Sequence, residues 1–121
     1  MTVLVEKSVT TLEDGIENLL EYAKTDYINR YGDDVNSDVA KTMIDRFNNG
    51  FVVKSGQKYI KIMCENGGSA WAFIVKDDTG KFKKGDILKC GGWNKPATNA
   101  PRGNVLDGMY QINWTGPMYL S

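Results

Sequence analysis

The chain has 121 residues, 15 basic and 15 acidic side chains, two cysteines and no histidine. That length fits one domain, residues 1–121, large enough to bury a core without staples. The missing histidine excludes Ser-His-Asp and Cys-His catalysis and the commonest transition-metal ligand, and no apolar run approaches the ~18 residues of a membrane span.

The opening residues "MTVLVEK" lack the basic and apolar regions of a secretory signal, so a cytoplasmic protein is expected. The sequon at Asn113–Thr115 then carries no meaning. Thr10 and Glu13 stand at the S/T-x-x-E spacing of a capping box. Leu12, Ile16, Leu19, Leu20, Ala23, Tyr27 and Ile28 follow at helical spacing, predicting a helix from about Leu12 to about Arg30 that stops before Gly32. Gly15 lies inside it at a cost of up to ~1 kcal/mol relative to Ala, which a close helix contact would explain. Asn36 or Ser37 caps a second helix with Val39, Ala40, Met43, Ile44 and Phe47 on one face, ended by Asn48, Asn49 and Gly50. A helical half over about 9–50 therefore precedes a β half over about 51–121.

From Phe51 the apolar period falls to two. "FVVK" and "YIKIMCE" read as strands, with Ile60, Ile62 and Cys64 on one face and Tyr59, Lys61 and Met63 on the other. Asn66–Gly68 is a strong hairpin signal leading into "AWAFIVK", whose alternation puts Trp71, Phe73 and Val75 together. "ILKC", "MYQINW" and "MYL" complete five or six antiparallel strands. Helices first and strands second argue an α+β fold: a helical hairpin on a curled antiparallel sheet, with an SH3-like or OB-like barrel as its closed form. Aromatic residues on both strand faces predict either that closure or a second subunit over the open side. Cys64 and Cys90 read as reduced, buried thiols, with a disulfide or reactive thiol as the alternative.

The chemistry concentrates in residues 91–108, "GGWNKPATNAPRGNVLDG", which show no periodicity. A loop of that length is commonly functional. Its simplest use is a cover over an open sheet end, plugged by Trp93 and docked by Val105 and Leu106. Asn94, Asn99 and Asn104 suit left-handed or self-bonded turn positions. A cover does not need Lys95 or Arg102, and Lys81, Lys83, Lys84 and Lys89 precede it. Basic side chains interleaved with Phe82 and Trp93 suit single-stranded nucleic acid or a phosphate ligand. The plainer alternative is a solvated lysine edge that blocks sheet-to-sheet pairing. Charge is also unevenly spread: residues 1–50 hold 10 acidic and 5 basic side chains, residues 51–121 the reverse. This predicts attraction between the halves, within one chain or between copies.

"KFKKGDILK", "NKPATNAPRGNV" and "WTGPMYL", spread over about residues 58–120, resemble segments of small uncharacterised proteins of marine tailed bacteriophages of the cyanophage type. That resemblance implies expression in an infected bacterial cytoplasm or incorporation into a virion, and it carries no catalytic residue. Three functions follow. The first is a non-catalytic protein-interaction module that self-associates. The second is a nucleic-acid or phosphate-ligand binder using Lys81, Lys83, Lys84, Trp93, Asn94, Lys95, Asn99, Arg102 and Asn104. The third is a small enzyme using lysine or carboxylates, with Lys84 and Asp86 beside a turn. The pairs Asp33–Asp34 and Asp77–Asp78 are turn formers before they are ligands, and nothing in the sequence calls for a cofactor or a metal.

Overall fold

The computed structural model describes residues 3–118. The chain runs β1 (Val3–Val5), α1 (Leu12–Asn29), a short 3-10 turn (Gly32–Asn36), α2 (Asp38–Asn49), β2 (Val52–Ser55), β3 (Tyr59–Cys64), β4 (Ser69–Val75), β5 (Ile87–Leu88), β6 (Cys90–Gly92), β7 (Lys95–Pro96), β8 (Tyr110–Asn113) and β9 (Gly116–Pro117). The α+β architecture is the expected one, with the helices packed on antiparallel sheets. The barrel is not formed. The strands make a four-stranded sheet β2-β3-β4-β5, a three-stranded sheet β1-β8-β9 and the ribbon β6-β7. Closure fails because β2 keeps an unpaired edge and β5 is only two residues long.

Helix α1 begins where the periodicity predicts, one residue off the expected cap: Thr11, not Thr10, accepts the Asp14 amide at 3.1 Å. Ser37 caps α2 by accepting the Ala40 amide at 3.1 Å. The buried face of α1 carries Ile16, Leu19, Ala23 and Tyr27. It packs against Val5 and Ile112 of one sheet and Ile62, Ala72, Ile74 and Ile87 of the other. A side chain of this kind contributes about 1.5–3 kcal/mol when fully buried. Val105 completes this core, and it accounts for Gly15. A Cβ there would lie 2.8 Å from the Val105 carbonyl oxygen and 2.9 Å from its Cβ. The helix gives up propensity to let the loop backbone come this close.

Strand β4 is buried along most of its length because both of its faces are covered. Ala72 and Ile74 face α1, while Phe73 and Val75 join Phe82 and Leu88 in a second cluster. Trp71 departs from the simple alternation. Ile62 pairs with Ala72 and Met63 with Ala70, leaving Trp71 as the extra residue of a bulge. The bulge swings Trp71 to the helix side, away from Phe73 and Val75.

There it enters a chain of rings. Tyr27 stacks on Phe47 at 4.2 Å, Phe47 meets Phe51 edge-on at 5.0 Å, and Phe51 meets Trp71 edge-on at 5.2 Å. Trp114 closes the group against Tyr27 at 5.3 Å. Each such pair adds about 0.5–1.5 kcal/mol beyond its buried area.

Residues 91–108 are less irregular than their composition suggests. Their first part folds back as the β6-β7 ribbon. Their last part docks Val105 in the core, as the sequence leads one to expect, and Leu106 packs against it.

Candidate functional site

Antiparallel pairing puts directly opposed residues on the same face. Lys54 lies opposite Lys61, Lys61 opposite Phe73, and Tyr59 opposite Val75. Lys54, Tyr59, Lys61 and Phe73 therefore share the face turned away from α1. The β6-β7 ribbon folds over that face. Lys61 Nζ donates to Asn94 Oδ1 at 2.9 Å and sits 3.5 Å from the centre of the Trp93 ring, a close cation–π arrangement.

Together these residues line an open depression of about 380 Å³ with Lys58, Gln57 and Met63, and none of its lining residues is Asp or Glu. The turn between β2 and β3 is fastened by Lys76, whose Nζ donates to the Gly56 carbonyl at 2.8 Å. A second depression of about 340 Å³ shares Gln57, Lys58 and Tyr59 and continues to Lys81 and Phe82, with Asp77 at its far side. The two form one groove carrying Lys54, Lys58, Lys61 and Lys81 beside the exposed Trp93 and the half-buried Tyr59, while Phe73 and Phe82 are buried. Like charges directly opposite on a sheet are destabilising, and Lys54–Lys61 is such a pair. Among the described residues the one ion pair is Lys24–Glu21, far from the groove in sequence.

The residues singled out from sequence divide. Trp93 and Asn94 line the groove, and Lys81 lines its extension. Trp93 is 49% exposed, so it is a wall of the groove instead of a core plug. Lys83 and Lys84 stand in the turn before β5, where their amides donate to Asp86 Oδ2 at 2.9 Å and Asp78 Oδ1 at 2.8 Å. They are outside the groove lining, as is the exposed Lys95.

Arg102 and Asn99 stitch their own loop: Arg102 Nη1 donates to the Ala100 carbonyl at 3.0 Å and Nη2 to Asn99 Oδ1 at 3.4 Å. Asn104 is 9% exposed and fully engaged. Its Nδ2 donates to the Lys84 carbonyl at 2.9 Å and to Asp86 Oδ1 at 3.0 Å, and its Oδ1 accepts the Leu106 amide at 2.8 Å. Asn104 is therefore a latch between the loop and the β5 turn, and the same bonds give Asp86 a structural use. Lys54, Lys58, Tyr59, Lys61 and Phe73 are the groove residues that sequence reasoning missed. The strand alternation already placed Tyr59 and Lys61 on one face, but not the ribbon that completes the wall.

Residues 5–120 match the model of a family of unknown function, DUF7717, and the chain belongs to that family. No curated protein and no solved structure matches it. None of the helices among the described residues is long and apolar enough to cross a membrane.

Cys64 and Cys90 are free and half-buried. Burial pushes both thiols above the ordinary cysteine value, which makes them poor nucleophiles at neutral pH. Burial likewise raises Tyr27, where Tyr31 reinforces it, and raises Tyr110 strongly. A raised pKa in the folded state means that the contribution to stability is complete below the unfolded value and is lost as pH rises through the folded one. Lys89 runs the other way, lowered by burial and by Arg102, so its cost is relieved with rising pH. Four groups outweigh one. The urea midpoint is expected to hold up to about pH 8.5, the unfolded cysteine value, and to be lower at pH 10. An equal or higher midpoint at pH 10 than at pH 7 contradicts this.

Proposed function

We propose that the protein is a non-catalytic binding module whose outer-face groove holds a phosphate-bearing strand, single-stranded nucleic acid being the ligand class that best suits it. The observation that carries this reading is the convergence of Lys54, Lys58 and Lys61 with Tyr59 and Trp93 on one depression whose lining has no carboxylate. Lysines neutralise phosphates and release counterions, while exposed ring faces stack bases without regard to sequence. Lys61 already lies over Trp93, so a stacked base would share the ring with a cation beside its phosphate.

The test is fluorescence anisotropy of a labelled single-stranded 20-mer. With four lysines engaged, the log–log salt slope is expected to be about −2.8, at ~0.7 per phosphate neutralised. The double variant Lys54→Glu/Lys61→Glu is expected to lose binding at least tenfold, Trp93→Ala severalfold, and Lys83→Glu/Lys84→Glu much less. Equal binding by the wild type and the groove variants rejects the reading.

A second reading has its own observation, and under it the chain self-associates as a protein-interaction module. β2 is an edge strand exposed along its whole length, with Val53 48% exposed, and Val39 of α2 is 73% exposed. Apolar edges of this kind favour strand addition or helix docking. Lys54 on the same edge disfavours two copies pairing β2 to β2, so α2 is the stronger contact. Light scattering is expected to give twice the monomer mass at tens of micromolar, reverting to monomer in Val39→Glu. A monomer at every concentration rules it out.

A further inference from the structure

The helix side of the fold holds a pocket separate from the groove. It has a volume of about 390 Å³ and lies between the C-terminal turn of α1, helix α2, the β3-β4 hairpin and the turn between β8 and β9. Its walls are the rings of Tyr27, Phe47, Trp71 and Trp114, and two guanidinium groups, Arg30 and Arg46, stand at it. Arg30 lies among three rings, with its Cζ 4.7 Å from the Trp114 centroid, 5.2 Å from Tyr27 and 5.4 Å from Tyr31. Neither guanidinium has a carboxylate or carbonyl partner among the described residues. Glu65 is the one acidic residue in the lining, and it forms no ion pair with either.

Both arginines are exposed, and Arg30 also bonds the Tyr27 hydroxyl. Their remaining N–H donors face water, which an anion would replace with charge-assisted bonds. Contact with Tyr27, Tyr31 and Trp114 restricts the Arg30 side chain in advance, so less freedom is lost when a ligand binds. Helix α2 adds to the opening: of its residues only Ala40 is buried, and Met43 and Phe47 reach the pocket half-covered. The volume lies at the small end of the range that holds small organic molecules, roughly 300–1,000 Å³.

We propose that this pocket binds a small carboxylate carried on a flat apolar body, the body lying among Phe47, Trp71 and Trp114 and the carboxylate reaching the forks of Arg30 and Arg46. The site is on the opposite side of the sheet from the lysine groove, so its success or failure is independent of nucleic-acid binding.

The probes are 2-naphthoate and its neutral isostere 2-naphthalenemethanol, titrated into the full chain by calorimetry. 2-Naphthoate is expected to bind at least tenfold more tightly than the alcohol, the change that a charge-assisted bond to a preset guanidinium is worth. Arg46→Gln, a surface change on α2 that leaves the ring stack intact, is expected to weaken 2-naphthoate about tenfold and the alcohol hardly at all. Arg30→Lys keeps the charge but removes the fork, and is expected to weaken it severalfold; Lys54→Glu in the groove leaves it unchanged. Equal binding of the acid and the alcohol, no effect of Arg46→Gln, or no binding at millimolar probe overturns the proposal.

Discussion

The backbone N–H and C=O of Trp114 tie the molecule together. Its N–H donates to Asp26 Oδ2 of α1 at 2.9 Å, and its carbonyl accepts Trp71 Nε1–H of β4 at 3.0 Å. The backbone of one residue between β8 and β9, through the two peptide groups that flank it, thus joins a helix near the chain's start to an inner strand of the other sheet. Asp26 is only 2% exposed. Its Oδ2 accepts the amide while its buried Oδ1 has no partner, and removing the side chain leaves the Trp114 donor without one. The two aromatic side chains then join the ring chain from Tyr27 to Phe51, so the hydrogen bonds set the geometry that the rings fill.

With the helix side fixed in this way, the outer face of the sheet is relieved of most structural duty. Phe73, Val75, Phe82 and Leu88 cover part of it. The remainder is lysine and exposed ring, kept in shape by the β6-β7 ribbon and by short bonds such as Lys61 to Asn94. Opposed lysines cost stability, so Lys54 and Lys61 on adjacent strands weaken the sheet edge; the proposed ligand would offset that cost.

Much of this was legible in advance, and the failures have physical causes. The helices were readable because caps, period and terminal glycine agree, and the β3-β4 hairpin because Asn66 and Gly67 supply the positive φ of the turn. β1 was not, since three residues carry no period and its partner Ile112 lies more than a hundred residues away from Val3. The bulge that turns Trp71 inward breaks the alternation on which the face assignment rested. Residues 91–108 looked uniform because a ribbon built on Gly91, Gly92 and Pro96 has no apolar signal. Asn104 and Arg102 drew attention as binding residues because latch chemistry and ligand chemistry use the same side chains. Lys54 and Lys61 were visible one strand at a time, and only pairing placed them opposite each other.

The Trp114 backbone is the tie between α1 and both sheets. The direct measurement is the urea-unfolding free energy of Asp26→Ala against wild type. Losing a buried bond to a carboxylate and stranding the Trp114 amide predicts a destabilisation of about 2–3 kcal/mol. A change within about 0.5 kcal/mol, the range of an ordinary surface substitution, would show that the fold does not depend on this tie.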